Sequence, residues 1–161
     1  MARPSLPPTS ASSFLRAAVG HHQAANQVQK GIKDSAGRFN ATFFAYYNLV
    51  GFCIELYLKS YLSNNGRTVD ELARFGHRLR DLLSDAASRG LFSYSGVGIV
   101  DPSALHRIVN IVDPHFSSNT YRYIDDSNDR YTYIENSELM DTILLDLRVR
   151  IERSGIVSIS S

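Results

Sequence analysis

Two charged residues inside a strongly apolar segment are the first candidates for chemistry in this sequence. Glu55 and Lys59 stand four residues apart in a run that is otherwise almost entirely apolar. A helix turns by about 100° per residue, so it places both on one narrow face together with Asn48 and Phe52. A carboxylate and an ammonium in this order can pair, and burying them is costly unless each has a partner. The pair is therefore either a structural anchor or one wall of a ligand pocket.

A histidine at the start of a later segment is the second candidate. His77 follows Gly76 directly, where we expect a helix to begin. The free N–H groups at such a helix end favour an anion, and an imidazole there can donate to a phosphate. The alternative is that His77 only caps the helix or bonds Glu55. The connection from the helix that carries Lys59 to the helix that begins at His77 is short. This favours antiparallel packing of the two helices, which brings Lys59 close to His77.

An arginine between two tyrosines is the third candidate. Arg122 stands between Tyr121 and Tyr123. A guanidinium binds phosphate through a planar fork, and aromatic rings offer faces on which bases stack. The candidate ligand-binding residues are therefore Asn48, Glu55, Lys59, His77, Arg122 and Tyr123.

A long apolar segment positions the first two of these candidates. Its apolar residues recur with a 4-3-4-3-4 spacing, and further apolar residues cover most of the remaining helical surface. A helix that is apolar nearly all round belongs in the centre of a protein. We therefore predict a buried central helix over residues 39–62. Its predicted core residues are Tyr47, Val50, Ile54 and Leu58.

Capping residues and apolar stripes predict further helices, and together they indicate an all-α bundle. The predicted N-caps are Thr9 or Ser10, Thr68 with Glu71 in a capping box, Asp101 before Pro102, and Asn136 or Ser137. On the first helix, His21 falls on the apolar stripe, which favours a packed core histidine. Pro114 is expected to end or bend the helix that contains it.

Two segments do not fit a helix. Residues 121–124 and 131–134 alternate with period two around a turn-rich stretch, which predicts a small β-hairpin-like insertion before the last helix. Gly96 and Gly98 form a G-x-G pair, but no strand-to-helix context surrounds it. We therefore interpret it as a loop rather than a phosphate-binding turn.

Length and composition limit the class of protein. A chain of 161 residues fits one domain, which we place at residues 10–155 between a flexible lead-in over 1–9 and a tail over 156–161. The net charge of +1 gives no global attraction to nucleic acid or to a membrane. Cys53 is the single cysteine, so no intramolecular disulfide forms and a buried, inert thiol is expected. We predict no cofactor, no metal site, no membrane span and a cytoplasmic location.

Two motifs in the chain resemble the core of HEPN-type domains. They read Asn48-x2-Gly51-x3-Glu55-Leu56-Tyr57-Leu58-Lys59-x2-Leu62 and Gly76-His77-x-Leu79-x2-Leu82. The resemblance covers about residues 42–90 and continues more weakly to the end. It implies an up-and-down helical bundle, usually a homodimer, with a role around RNA, nucleotides, or defence and toxin–antitoxin systems.

Many members of that family are metal-independent RNases, in which four to six residues separate an arginine from a histidine, usually on a late helix. The predicted last helix, residues 137–153, contains no histidine. The spacings from Arg16 to His21 and from Arg16 to His22 match, but about one such match is expected by chance in a chain this rich in arginine. We therefore expect binding of a nucleotide or RNA phosphate and do not favour RNase activity. The alternative is a non-catalytic interaction or regulatory module, partnered with a nucleotidyltransferase-like protein.

Overall fold

Helices make up nearly all of the regular structure in residues 10–123 and 131–156, which are the residues that the computed structural model of this chain describes. The helices are α1 (Ala11–Gln29), α2 (Thr42–Asn64), α3 (Val69–Phe75), α4 (Leu79–Ser88), α5 (Pro102–Ser117) and α6 (Ser137–Arg153). A short 3-10 turn at Leu91–Ser93 follows α4. In these residues the only β pairing is one isolated bridge, between Lys33 and Phe39. The predicted all-α bundle is confirmed.

The helix α2 lies at the centre of the bundle and packs against each of the other five helices. The four residues predicted for its core, Tyr47, Val50, Ile54 and Leu58, are at most 1% exposed. Burying an aliphatic side chain of this size contributes about 1.5–3 kcal/mol, so α2 carries a large share of the folding free energy. The neighbouring helix α1 runs antiparallel to α2. The hydroxyl of Ser60, near the C-terminal end of α2, donates a hydrogen bond to the carbonyl of Ala11 at the start of α1.

The predicted N-terminal caps are confirmed. The Ser10 hydroxyl accepts the N–H of Ser13, and Thr68 and Glu71 form the reciprocal bonds of a capping box. Asp101 caps α5 with Pro102 in its first turn, and Asn136 caps α6. The central helix α2 begins later than predicted, at Thr42. There the Asn40 side chain accepts the Thr42 N–H at 2.9 Å, a local turn that competes with helix.

The buried face of α1 overlaps the predicted one but differs from it at the histidine. Its buried residues are Leu15, Ala18, His22 and Ala25, so His22 enters the core and the prediction of His21 as the core histidine is wrong. The His22 ring is satisfied on both sides. Its Nδ1 lies 3.2 Å from the Tyr57 hydroxyl, and its Nε2 lies 2.7 Å from Oδ1 of Asp141.

Pro114 does not end α5, because the helix continues beyond it to Ser117. A proline inside a helix leaves the carbonyl four residues earlier without its usual donor, and here that carbonyl belongs to Asn110. Arg80 of α4 supplies the missing donor, with its guanidinium 3.2 Å from the Asn110 oxygen. The helix therefore passes through the proline with that acceptor satisfied from a neighbouring helix.

The predicted hairpin is not seen in the described residues. Residues 121–123 form a turn, in which the N–H groups of Arg122 and Tyr123 both bond the carbonyl of Asn119. Residues 131–134 run as irregular chain toward α6. The segment 124–130, which contains the predicted hairpin turn, lies outside the described residues.

The G-x-G loop packs on α6 rather than forming a phosphate-binding turn. The N–H of Val97 donates to Oδ1 of Asp146 at 2.8 Å. A side chain at Gly96 would collide with the same carboxylate, so glycine is required there by close approach. Because an acidic side chain already occupies this turn, it offers no place for a second anion.

Two further predictions concern the ends of the chain and the membrane. The predicted lead-in over residues 1–9 and residues 157–161 of the predicted tail lie outside the described residues. Ile156 is buried against the core. Among the helices that the structure describes, none has the length and apolar character that crossing a membrane requires.

Candidate functional site

The carboxylate of Glu55 joins two cationic or titratable partners in the interior of the bundle. Its Oε1 lies 2.6 Å from Nζ of Lys59, and its Oε2 lies 2.8 Å from Nδ1 of His77. The Lys59 ammonium also donates to the carbonyl of Gly76 at 3.2 Å. The three candidates predicted on α2 and before α4 therefore do converge.

The ion pair between Glu55 and Lys59 is buried. Their side chains are 6% and 11% exposed, and the Lys59 ammonium has two protein acceptors. A buried pair with its hydrogen bonds made is worth little net stability, but removing either member strands a charge. The Lys59 ammonium thus already has two acceptors within the chain, and its binding to a ligand stays a prediction. Its role is to hold Glu55, and through it His77.

His77 is the member of this group that reaches solvent. Its side chain is 36% exposed, and its ring lies edge-on to the rings of Phe52 at 5.9 Å and Phe116 at 5.4 Å. Because Nδ1 is turned toward the Glu55 carboxylate, Nε2 is the nitrogen left for a ligand. The imidazole is thus fixed in position by one hydrogen bond and two aromatic contacts.

A second group approaches the same two aromatic rings. The Arg122 guanidinium carbon lies 4.6 Å from the centre of the Phe52 ring and 5.8 Å from that of Phe116. His21 packs against Phe52 from α1, with ring centres 5.5 Å apart. We call this cluster the Phe52 platform; it comprises Phe52, Phe116, His21, His77 and Arg122.

The platform depends on a close approach between α2 and α5. The Phe116 ring lies directly over the backbone at Gly51, where any side chain would collide with it. Phe116 also meets Phe52 edge-on at 5.1 Å between ring centres. Gly51 therefore lets α5 bring Phe116 beside Phe52, which positions the rings that His77 and Arg122 share.

The N-terminus of α4 is not an open anion site, and that part of the prediction is wrong. The helix begins at Leu79 rather than at His77. Oδ1 of Asp113, from α5, accepts the N–H of Leu79 at 2.6 Å and that of Arg80 at 3.3 Å. A protein carboxylate therefore holds the position that a phosphate would take.

The remaining predicted site residues divide between the platform and the surface. Nε of Arg122 lies 3.4 Å from Oδ1 of Asn48, so Asn48 holds the guanidinium from the side of α2. Tyr123 is 76% exposed. Five of the six predicted residues thus lie in one connected group, in which Glu55 and Lys59 lie behind His77, and the sixth, Tyr123, is exposed.

The sequence does not indicate the platform residues Phe52, Phe116 and His21 as site residues, nor Asp113 beside them. Phe116 and Asp113 lie on α5, far along the chain from the residues they contact, and they resemble an ordinary core residue and an ordinary surface acid. His21 was assigned to the core through its spacing. The one usable signal was the unusual Gly51 inside an apolar helix, because a glycine there implies that something packs closely against it.

Other reactive groups lie away from the platform. Burial raises the pKa of the Cys53 thiol well above its ordinary value, so it stays protonated near neutral pH, in agreement with the expected inert thiol. In residues 10–123 and 131–156 no three His, Cys, Asp or Glu side chains are grouped so that they could hold a metal ion.

Comparison with known proteins identifies no relative. No protein-family model matches the chain, and neither a curated protein nor a solved structure matches it.

Proposed function

We propose that the Phe52 platform binds a phosphate group of a nucleotide or RNA. The observation that carries this proposal is that His77 and Arg122, from distant parts of the chain, contact the same pair of rings. In its protonated form the imidazole donates Nε2–H to a phosphate oxygen while Nδ1–H stays on Glu55, and the guanidinium can form two parallel bonds. His77 is held by Glu55 and by both rings before a ligand arrives, which lowers the entropy lost on binding.

The local charge also favours an anion. The negative charge of Glu55 is balanced by Lys59, so it does not repel a ligand at His77. Arg74 and Arg78 flank His77 in the chain and are exposed. Arg78 is paired with Asp81 at 3.2 Å, so Arg74 is the cation of these two that has no acidic partner among the described residues.

The proposal concerns binding, and RNase activity is not favoured. Cleavage requires an acid and a base placed around one phosphate, and the described geometry fixes one imidazole against a carboxylate. The resemblance to HEPN-type domains stays a prediction, and a role in a defence or toxin–antitoxin system rests on it alone.

A binding measurement tests this proposal. Fluorescence anisotropy with a labelled single-stranded RNA of eight nucleotides, at 50 and 200 mM salt, should show binding that weakens as salt rises. His77→Gln and Arg122→Gln should each weaken it about tenfold or more, since each removes a hydrogen bond to a charged group. Arg107→Gln is the matched control, because Arg107 is an exposed arginine of α5. Equal affinity in all four proteins would reject the platform as the site.

A non-catalytic interaction module is the second candidate function. The observation that favours it is the burial of the Glu55–Lys59 pair, whose hydrogen bonds are made within the chain without a ligand. In that reading the chain acts as a homodimer or through a regulatory partner of the nucleotidyltransferase-like class. Light scattering of the purified chain tests whether it forms a homodimer. RNA binding to the platform would argue against the non-catalytic interaction module.

A further inference from the structure

A group of aromatic rings lies at the end of α2 opposite to Lys59. The Phe39 and Tyr133 rings meet edge-on with centres 4.5 Å apart, and their residues are 37% and 38% exposed. Below them, Phe44 and Tyr131 meet with centres 5.1 Å apart. These rings border an open cavity of about 510 Å³. We call this group the aromatic end; it comprises Phe39, Phe43, Phe44, Tyr131 and Tyr133.

The aromatic end and the Phe52 platform lie on one face of the same helix. Phe44, Asn48 and Phe52 follow each other at intervals of four residues, which keeps them within a narrow arc. At a rise of about 1.5 Å per residue, Phe44 and Phe52 stand about 12 Å apart along α2. Arg122 lies between them, beside Asn48 and over Phe52. The face therefore carries rings, a guanidinium and further rings in sequence.

Cations also border the aromatic end. Nζ of Lys33 lies 5.0 Å from the centre of the Phe39 ring. On the other side of Phe39 a cavity of about 280 Å³ is lined by Lys30 and Lys33 together with Glu135. Asp34, next in the chain, is paired with Arg38 at 3.0 Å. An anionic ligand that reaches this end therefore meets two lysines against one acid that borders the cavity.

We propose that the aromatic end is a base-stacking subsite for single-stranded RNA whose phosphate lies at the Phe52 platform. This inference rests on the proposed function and adds that the ligand is a single strand rather than a mononucleotide or a duplex. Proteins that hold single strands combine cations along the backbone with exposed rings on which unpaired bases stack. The face of α2 has both, in alternation, and the open cavity gives a base access to the rings.

The spacing distinguishes a strand from smaller or paired ligands. Stacked bases rise by about 3.4 Å each, so about four nucleotides are needed to cover the distance between Phe44 and Phe52. A mononucleotide, or a dinucleotide whose bases stay stacked, is shorter than this distance and does not cover both the platform and the aromatic end. A duplex keeps its bases stacked on one another and offers the rings no free face.

The test uses the full chain and labelled oligouridines of two, four and eight nucleotides. Phe39→Leu/Tyr133→Leu removes two ring faces while it keeps apolar side chains at partly exposed positions, and Tyr133→Leu alone is the milder version. Phe92→Leu is the matched control, since Phe92 packs against His106 elsewhere in the bundle. Circular dichroism and the thermal midpoint verify that each variant folds.

We expect the double variant to bind the eight-nucleotide strand about 5- to 150-fold more weakly, which corresponds to the range for one lost base-stacking contact. Its affinity for the dinucleotide should be unchanged, and the Phe92→Leu protein should match wild type with both. If the double variant binds the long strand as wild type does, while Arg122→Gln still weakens it, the subsite is wrong and the platform stands. Equal affinity of wild type for a duplex of the same length also overturns the subsite. If wild type binds no oligonucleotide at low salt, the proposed function itself fails.

Discussion

Oε2 of Glu55 accepts a hydrogen bond from Nδ1 of His77 at 2.8 Å and so joins the centre of α2 to the turn before α4. The same carboxylate is held on its other oxygen by Lys59. The position of an exposed imidazole is therefore set by a buried ion pair. A substitution of Lys59, which has little contact with solvent, should therefore change the position of the His77 ring.

Loss of the buried cation should destabilise the fold strongly. Lys59→Met leaves Glu55 charged at a site where its side chain is 6% exposed. We expect a loss of about 3–5 kcal/mol in the free energy of unfolding, because a stranded buried charge keeps its full desolvation cost. Urea denaturation measures it. The exposed pair of the same spacing, Asp34 and Arg38, is the control, and Arg38→Met should leave the midpoint unchanged. A Lys59→Met protein as stable as wild type would contradict the structural role of the pair.

A methyl group at Gly51 should separate α2 from α5. Gly51→Ala collides with the Phe116 ring, and overpacking of this kind costs about 1–3 kcal/mol. Phe116→Leu should recover part of that loss in the double variant, because it makes room. Gly20→Ala is the matched control: Gly20 also lies inside a helix but faces open space, so alanine should stabilise the chain slightly. Thermal denaturation of the four proteins tests this. If Gly51→Ala behaved like Gly20→Ala, the close approach would be refuted.

Removal of Asp113 should open the helix end that the sequence suggested for an anion. Asp113→Ala frees the N–H groups of Leu79 and Arg80, and we expect a loss of about 1–2 kcal/mol, as for a lost cap. Sulfate should then raise the thermal midpoint of the variant more than that of wild type, with sodium chloride at equal ionic strength as the control. An equal sulfate response in the two proteins would show that the carboxylate does not occupy an anion position.

His115 should make the fold sensitive to mild acid. Burial lowers the pKa of His115 below its ordinary value of 6.5, and its ring packs against those of Tyr121 and Tyr131. A depressed pKa means that the unfolded chain takes up the proton first, so this stability is present above pH 6.5 and is lost as pH falls through the folded pKa. Urea midpoints at pH 8, 6.5 and 5.5 should fall more steeply for wild type than for His115→Phe. Parallel curves would exclude a contribution from His115.

Local sequence signals predicted the helices, and distant contacts explain where those predictions failed. The caps at Ser10, Thr68 and Asp101 act on N–H groups within a few residues of themselves, so they are visible in the sequence. The buried face of α1 was wrong by one position, because His22 is selected by Tyr57 and by Asp141. Both partners are far away in the chain, and periodicity carries no information about them.

The candidate site shows the same division. The pairing of Glu55 with Lys59 is predictable because a helix brings residues four apart together. The approach of His77 is predictable because helices close together in the chain tend to pack antiparallel. Their burial could not be found in this way, since it depends on how closely the other helices cover that face. Asp113 and Phe116 enter from α5, and no pattern around either residue indicates which helix it will contact.

Gly51 carries information for recognising related chains. Since the Phe116 ring rests on the backbone there, the two positions are expected to change together during evolution: a larger residue at 51 requires a smaller one at 116. A chain that shares only the helical bundle has no reason to keep this combination. Glycine at 51 with an aromatic residue at 116 is therefore a two-position signature that would separate proteins with the Phe52 platform from those with the same helices alone.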